Sequence, residues 1–369
     1  MRSPRSARAP RRRRAAVAAS RCAAAAGLVV GLVVGLGAAA DPPVRAPEGT
    51  PGGVAGGRDV YAWPFAWDSI WNLPLAASAV YRPFDPQAQA LELDWNNISV
   101  DPADPVRQLR ADDEEVPVHV DPELSADGGW NNCSALLVDT PDRLTVIQGQ
   151  PMELEPGGDP SWEYGWPPMS LTDRGTEGCH GGSGLSGIGG AIRIGELTGP
   201  TPIRHALKIG LNCTESCSRE GGGFRWPAVK ADSGYEDKYG GSDPDVKMGS
   251  LLAVAPDTDL SWITQPDVRK VAEALRDYGG YVVDETANDK NFVVVETGAQ
   301  DEIPNIDSEE MRRLFGQLSV VTNSTELTPG GGPVGAPRRA PCAPPFLDGS
   351  GAAPVTCSPS ATVGQLVGA

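Results

Sequence analysis

The sequence predicts an all-β fold with a few helices, an antiparallel β-sandwich or jelly roll held by disulfides. Three observations lead there. Short segments that alternate apolar and polar residues recur along the chain, with turn residues between them. Only two segments carry apolar residues at helical spacing. Six cysteines follow an N-terminal leader, an even number that suits pairing in an oxidising compartment.

The elements can be taken in order. Val116 to Val120 and Arg143 to Ile147 alternate, as strands with one buried face do. Ala191 to Ile194 and Ile203 to Ile209 alternate in the same way, and a hairpin across the Gly-Pro turn between them would bring Glu196 and His205 within reach of each other. Leu251 to Val254, Tyr281 to Val283 and Phe292 to Val295 are short apolar runs. The first helix runs from Gln265 to Tyr278, with Val268, Val271, Ala272 and Leu275 on one face and Gly279 as its stop. The second opens at Asp307-Ser308-Glu309-Glu310, a capping sequence, and turns Met311, Leu314 and Phe315 inward.

The flanks differ in composition. Residues 1–40 read as a signal peptide: Arg11 to Arg14 are the charged region, Ala23 to Leu36 an uncharged stretch short for a span, and Ala38-Ala39-Ala40 the small-residue cleavage pattern. The arginine run lacks the bulky residue that usually follows a twin-arginine pair, so the export route stays open. Residues 41–58 read as a Pro/Gly linker, 59–327 as a single β-rich domain, and 328–369 as a Pro/Gly-rich tail. The competing reading of the leader is an uncleaved anchor.

Loss of the leader removes eight arginines and no acids, which leaves 23 basic and 48 acidic residues and a net charge of −25. A surface so acidic argues against nucleic acid and anionic lipid as partners. Cys213 with Cys217 and Cys342 with Cys357 are the short-range pairs, which leaves Cys133 with Cys179, although six cysteines allow fifteen pairings. Zinc at Cys213-x-x-x-Cys217 would need a second Cys or His pair at finger spacing, and none stands there.

Several short motifs occur in a characteristic order. They are Asp68-Ser69-Ile70-Trp71-Asn72, Trp162-Glu163, Gly184-Leu185, Gly195-Glu196-Leu197, Ile203-Arg204-His205-Ala206-Leu207, Trp226-Pro227-Ala228, Met248-Gly249, and Leu275 to Gly279 with Asp284 after it. In this order, over roughly residues 61–300, the chain resembles a family of exported bacterial and fungal proteins whose mature domain opens with a similar Asp-x-x-Trp-Asn. The family has no settled activity, so the resemblance implies export and a single domain rather than a chemistry. The chain departs from it in the insert between Ala228 and Met248 and in the cysteine loop at 213–217.

The richest stretch for chemistry runs from Cys179 to Gly210. It holds two of the three histidines among many glycines, which let a backbone approach a ligand closely. Glu196 and His205 flank the Gly-Pro turn, with Arg193 before them. A carboxylate that orients an imidazole makes a general base near neutral pH, and the competing reading is a half-buried histidine bonded for structure. His180 beside Cys179 suggests a nucleophile pair only if the thiol is free. Ser183 lacks the Gly-x-Ser-x-Gly spacing of a nucleophile elbow.

Glu163 stands among Trp162, Tyr164 and Trp166, and apolar rings raise a carboxyl pKa as a general acid requires. The bland alternative is a core strand whose Glu pairs with an Arg. Asp284 is a candidate second carboxylate for a glycosidase pair, against a solvated strand end. The acidic, glycine-rich insert 232–245 offers oxygens to calcium but lacks the Asp-x-Asp-x-Asp-Gly loop, and a solvated loop is the better reading. Nine tryptophans, among them Trp63, Trp67, Trp71, Trp95 and Trp130, suit either a sugar-binding groove or a β core.

These readings converge on a secreted, carbohydrate-active protein that hydrolyses or otherwise cleaves an extracellular polysaccharide. The candidate catalytic residues are His205, Glu196, Glu163, Arg193 and His180, with no cofactor and no metal. The expected partner is an extracellular polysaccharide or cell-wall glycan, with no nucleic acid, no membrane after leader cleavage, and a monomeric chain. The alternative is a non-catalytic cell-wall or glycan-binding module, and a peptidase-like hydrolase is a third reading. An enzyme should enclose His205, Glu196 or Glu163 in a groove, whereas a module should show a shallow face with exposed aromatics.

Overall fold

The computed structural model describes residues 56–354 and 357, apart from 85, 87–89, 112–113, 127–131 and 287–288. The leader, most of the 41–58 linker, Trp130 and the end of the tail lie outside the described residues.

The first half of the chain builds β1 (Tyr81–Pro83), β2 (Ala90–Ser99), β3 (Val106–Ala111), β4 (Glu114–His119), β5 (Ser134–Val138), β6 (Thr145–Glu153), β7 (Ser161–Ser170) and β8 (Glu177–His180). The second half adds β9 (Leu207–Leu211), the single turn α1 (Tyr235–Lys238), β10 (Leu251–Val254), α2 (Pro266–Asp277), β11 (Gly280–Glu285), β12 (Lys290–Glu296), α3 (Glu309–Phe315) and β13 (Leu318–Val321). The β-rich class with few helices holds. Of the twelve strand pairings among the described residues, eight are antiparallel.

The sheet has two parts, and β2 belongs to both. One part is a mixed sheet in the order β1-β13-β10-β11-β9-β12-β2. In the other, β5, β4, β3, β7 and β6 pair in turn, and a β5–β6 pairing closes the five strands into a ring. Residues 90–96 of β2 run parallel to β12, while residues 97–99 run parallel to β5. One continuous strand thus sets the register of both parts. The ring buries its own cluster, with Leu109, Val118, Leu136, Met152 and Trp162 at its centre.

The predicted helices form where expected. In α2, Pro266 occupies the first turn, where its missing N–H costs nothing. Val268, Val271, Ala272 and Leu275 are fully buried in one cluster with Leu252 and Val254 of β10. The amides of Tyr278 and Gly279 both return to the Ala274 carbonyl and end the helix. In α3 the Ser308 hydroxyl accepts the Met311 amide at 3.1 Å, and Met311, Leu314 and Phe315 are buried.

Two strand expectations need correction. Ala191 to Ile194 forms only a single bridge, from Ile192 to Val295, and residues 195–205 are turns and irregular chain. No hairpin forms there. The strand expected at Ile203–Ile209 is β9, and it begins only at Leu207. All five residues of β9 are buried: it is a central strand between β11 and β12, Leu207, Ile209 and Leu211 pack in the cluster that holds α2, and Lys208 is covered by Asn96 and Gly187. Alternation therefore did not report exposure: Lys208 is completely buried.

The cysteines pair as Cys133–Cys179, Cys213–Cys217 and Cys342–Cys357. The first ties the chain just before β5 to β8. The stretch from 328 to 347, assigned by composition to the tail, packs against residues 58–79. Arg338 is fully buried and donates to the carbonyls of Pro74, Pro329, Gly332 and Pro333 at 2.7–3.2 Å. Arg58 donates to the Pro344 carbonyl at 2.8 Å and lies 3.8 Å from the centre of the Phe346 ring. Multiple carbonyls on one guanidinium explain how a Pro/Gly-rich segment with no strand of its own is held.

Candidate functional site

Arg193, Glu196 and His205 do come together, through one carboxylate. Residues 193–196 form a turn in which the Glu196 amide donates to the Arg193 carbonyl and the Arg193 amide donates to Glu196 Oε2 at 2.7 Å. The same Oε2 lies 3.0 Å from His205 Nε2. The Arg193 guanidinium turns away to Glu296 on β12, at 2.9 and 3.2 Å. Lys270 of α2 donates to the carbonyls of Glu196 and Gly199 and fixes the turn from below.

His205 Nδ1 lies 2.9 Å from the Ala206 carbonyl. A carbonyl and a carboxylate are both acceptors, so both ring nitrogens are placed to donate, which favours the imidazolium. Burial by itself disfavours that charge, but Glu196 outweighs it and raises the His205 pKa. In the same way burial would raise the Glu196 pKa, and the charge and bond of His205, with Arg193, bring it below the ordinary value. An imidazolium with both N–H groups engaged has no lone pair with which to take a proton. The crevice beside it, lined by Trp63, Phe65, Trp71, Gly189 and Gly190, holds about 20 Å³, room for one water.

His180 is 2 % exposed, and its Nε2 has no hydrogen-bond partner among the described residues. Burial first, then the neighbouring Lys208 charge, pushes its pKa well down, so it is neutral. Cys179 is disulfide-bonded, which removes the thiol that a Cys–His pair needs. Lys208 donates to Asn96 Oδ1 at 2.6 Å and to the Gly187 carbonyl at 2.9 Å, and burial lowers its pKa. Asp94 is shifted up to about 6, by burial above all.

Glu163 stands apart from all of these. It is exposed on β7, in the five-stranded ring, while Trp162 turns into the ring cluster at 6 % exposure. Strand parity sends the two to opposite faces. The crevice at His205 is lined by neither Trp162 nor Glu163.

A different carboxyl pair was visible only in part from the sequence. Asp284, at the end of β11, and Asp232, in the insert, lie against successive residues of the Gly181-Gly182 turn, close enough for each to act on the other's charge. Asp284 Oδ1 accepts the amides of Gly182 and Glu285 at 3.0 and 2.9 Å, and Asp232 Oδ2 accepts the Tyr239 hydroxyl at 2.5 Å. Burial and then the facing Asp232 raise the Asp284 pKa well above the carboxylate range, and burial raises that of Asp232. Two close carboxyls cannot both ionise cheaply, so each disfavours ionisation of the other. The Gly181-Gly182 turn lies directly on them: a Cβ at Gly181 would stand 1.6 Å from Asp284 Oδ2, and one at Gly182 2.2 Å from Asp232 Oδ2. The signal in the sequence was a Gly-Gly turn and an acid closing an apolar run. Nothing local linked them to the insert.

Two concavities lie beside the ring. One, of about 410 Å³, is lined by Trp95 and Asn97 of β2, by Ser125 and Asn132, and by Met152, Leu154 and Glu155. Another, of about 510 Å³, adjoins it through Ala126, Leu154 and Glu155 and adds Arg110, Glu153, Asp159 and Ser161. Trp95 and Asn97 share a face of β2 because they are two residues apart. The Trp95 indole is 37 % exposed, whereas Asn97 is buried and held by Ser134 and Thr297. The sequence offers Trp95 only as one of several tryptophans suited to a sugar-binding groove or a core, and no local pattern sets it apart from the others. Among the described residues no helix is long and apolar enough to cross a membrane, and no group of three or more His, Cys, Asp or Glu side chains is placed to hold a metal ion. Compared with protein-family models, curated proteins and solved structures, the chain matches none.

Proposed function

We propose that this is an exported glycan-binding protein whose groove beside Trp95 receives a sugar chain. The observation that carries the reading is the groove itself: a half-exposed indole beside amide, hydroxyl and carboxylate groups, in a concavity of ligand size. An aromatic face covers the apolar face of a sugar ring, and the surrounding polar groups take its hydroxyls. Three disulfides support export. The residues that the sequence offers for catalysis support binding over turnover. His205 has both nitrogens engaged, His180 is sealed in the core, and Glu163 stands exposed without an enclosing groove.

The test is a glycan array on the mature chain, followed by calorimetry on the hits and a reducing-end assay. Binding without release of reducing ends is expected, with Trp95→Ala weakening affinity by about tenfold or more, as loss of a central aromatic contact does. Failure to bind any glycan, or indifference to Trp95→Ala, would overturn the reading.

A hydrolytic reading has one specific support, the Asp232–Asp284 pair, since a raised pKa is what keeps a carboxylic general acid protonated at neutral pH. In that case reducing ends appear, and Asp284→Asn abolishes their release. The same variant has an expected effect on stability. Because the folded Asp284 pKa is raised, the folded state loses stability as pH rises from the unfolded value of about 4 through the folded one. Asp284→Asn, neutral throughout, should therefore raise the melting temperature relative to the parent, increasingly from pH 5 to pH 9. A variant less stable than the parent at pH 8 would contradict the raised pKa of Asp284.

A further inference from the structure

We infer that the groove beside Trp95 selects glycans that carry free amines over neutral and acidic ones. This rests on the glycan-binding reading above and adds the class of sugar.

The charge of the groove decides it. Among the described lining residues, the groove beside Trp95 contributes Glu155, and the concavity that adjoins it adds Glu153 and Asp159 against one cation, Arg110. All three carboxylate residues are exposed, and among the described residues none of them forms a salt bridge. Asp159 Oδ1 accepts the Gln108 amide, which fixes its direction without neutralising it. Arg110 stands opposite Glu115 in the β3–β4 register, so an acid across the strand offsets its charge. Glu155 lines both concavities and places a carboxylate where they join.

A uronate or phosphate-bearing chain entering here would meet like charge with one compensating arginine. A deacetylated amino sugar would bring an ammonium group to each unpaired carboxylate and keep an apolar ring face for Trp95. The chain as a whole, at net −17, adds long-range attraction for a cationic polymer. Discrimination of this kind comes from repulsion of the wrong ligand as much as from attraction of the right one. It is screened by salt, because these carboxylates are exposed.

The probes are glucosamine hexamer, N-acetylglucosamine hexamer and galacturonate hexamer, titrated calorimetrically into the full mature chain at pH 5.5 in low and high salt. The amine hexamer is expected to bind about tenfold tighter than the acetylated one at low salt, about 1.4 kcal/mol, with the ratio falling toward one at high salt. The double variant Glu153→Gln/Glu155→Gln should lower that ratio at low salt. Equal binding of the amine and acetylated hexamers, or preference for the galacturonate, overturns the inference and leaves glycan binding standing. Binding of none of the three overturns this inference, and a glycan array without hits overturns the reading beneath it.

Discussion

At the scale of single residues, the Glu196–His205 pair is an anchor for an irregular stretch of chain. It joins a turn at 193–196 to the residue that leads into β9, where no strand pairing does so. His205→Ala should cost about 2 kcal/mol, less than the 3–5 of a fully buried pair because the Glu196 side chain is one quarter exposed. The cost should depend on pH. The folded His205 pKa is raised, so its contribution is full below the unfolded value of about 6.5 and is lost as pH rises through the folded value. The folded Glu196 pKa is lowered, so its contribution is full above about 4.5 and is lost as pH falls through the folded value. Urea unfolding of parent and variant should show the largest gap between about pH 5 and 6.5 and a smaller one at pH 10. A gap that does not change with pH would mean that the imidazole acts by packing alone. Glycan binding is expected to survive the substitution, since His205 does not line the groove beside Trp95.

At the scale of elements, the ring closes because β6 pairs with both β5 and β7. Gly149 sits in the middle of β6, opposite Ser134 on one side and Gly165 on the other. The Trp162 indole lies flat over it, and a Cβ there would stand 2.2 Å from the ring. Gly149 thus makes the place for the largest side chain of the ring cluster. Gly149→Ala should destabilise by about 1–3 kcal/mol through overpacking, readable as a lower urea midpoint and a change in Trp162 fluorescence. An unchanged midpoint would show that the indole has another place to lie. The mixed sheet manages its own edge differently: β1 is three residues long and ends in Pro83, and Arg82 is bonded to Asp243 and Asp245 of the insert. Short length, proline and charge discourage pairing with another chain.

At the scale of the whole molecule, the disulfides close loops of very different length. Cys133–Cys179 spans 46 residues, Cys342–Cys357 spans 15 and Cys213–Cys217 spans 4. Loop entropy assigns them about 4, 3 and 2 kcal/mol respectively. Paired Cys→Ser variants should lose stability in that order in chemical denaturation, and a largest loss at Cys213–Cys217 would contradict an entropic origin. The Cys133–Cys179 bond has a second consequence, since it fixes His180 and the Gly181-Gly182 turn that lies on the carboxyl pair.

What the sequence determined by itself was local. Period-two alternation located β4 and the start of β6, apolar runs located β10, β11 and β12, and helical spacing with caps located α2 and α3. Each is set by the exposure of a few adjacent side chains and by backbone groups within a turn of each other. The cysteine count led to three pairs, and proximity in sequence identified two of them. Tertiary structure alone decided the rest. Alternation over Ile203–Ile209 predicts a strand with one buried face, but β9 is covered on both, by the cluster that holds α2 and by Asn96 and Gly187 over Lys208, which come from far along the chain. Arg193 took Glu296, more than a hundred residues away, as its partner. Asp232 and Asp284 both have raised pKa values because folding desolvates them together, and a pKa follows the surroundings rather than the neighbours in sequence. The groove at Trp95 exists because β2 passes from one part of the sheet to the other, a long-range pairing that no window of sequence contains.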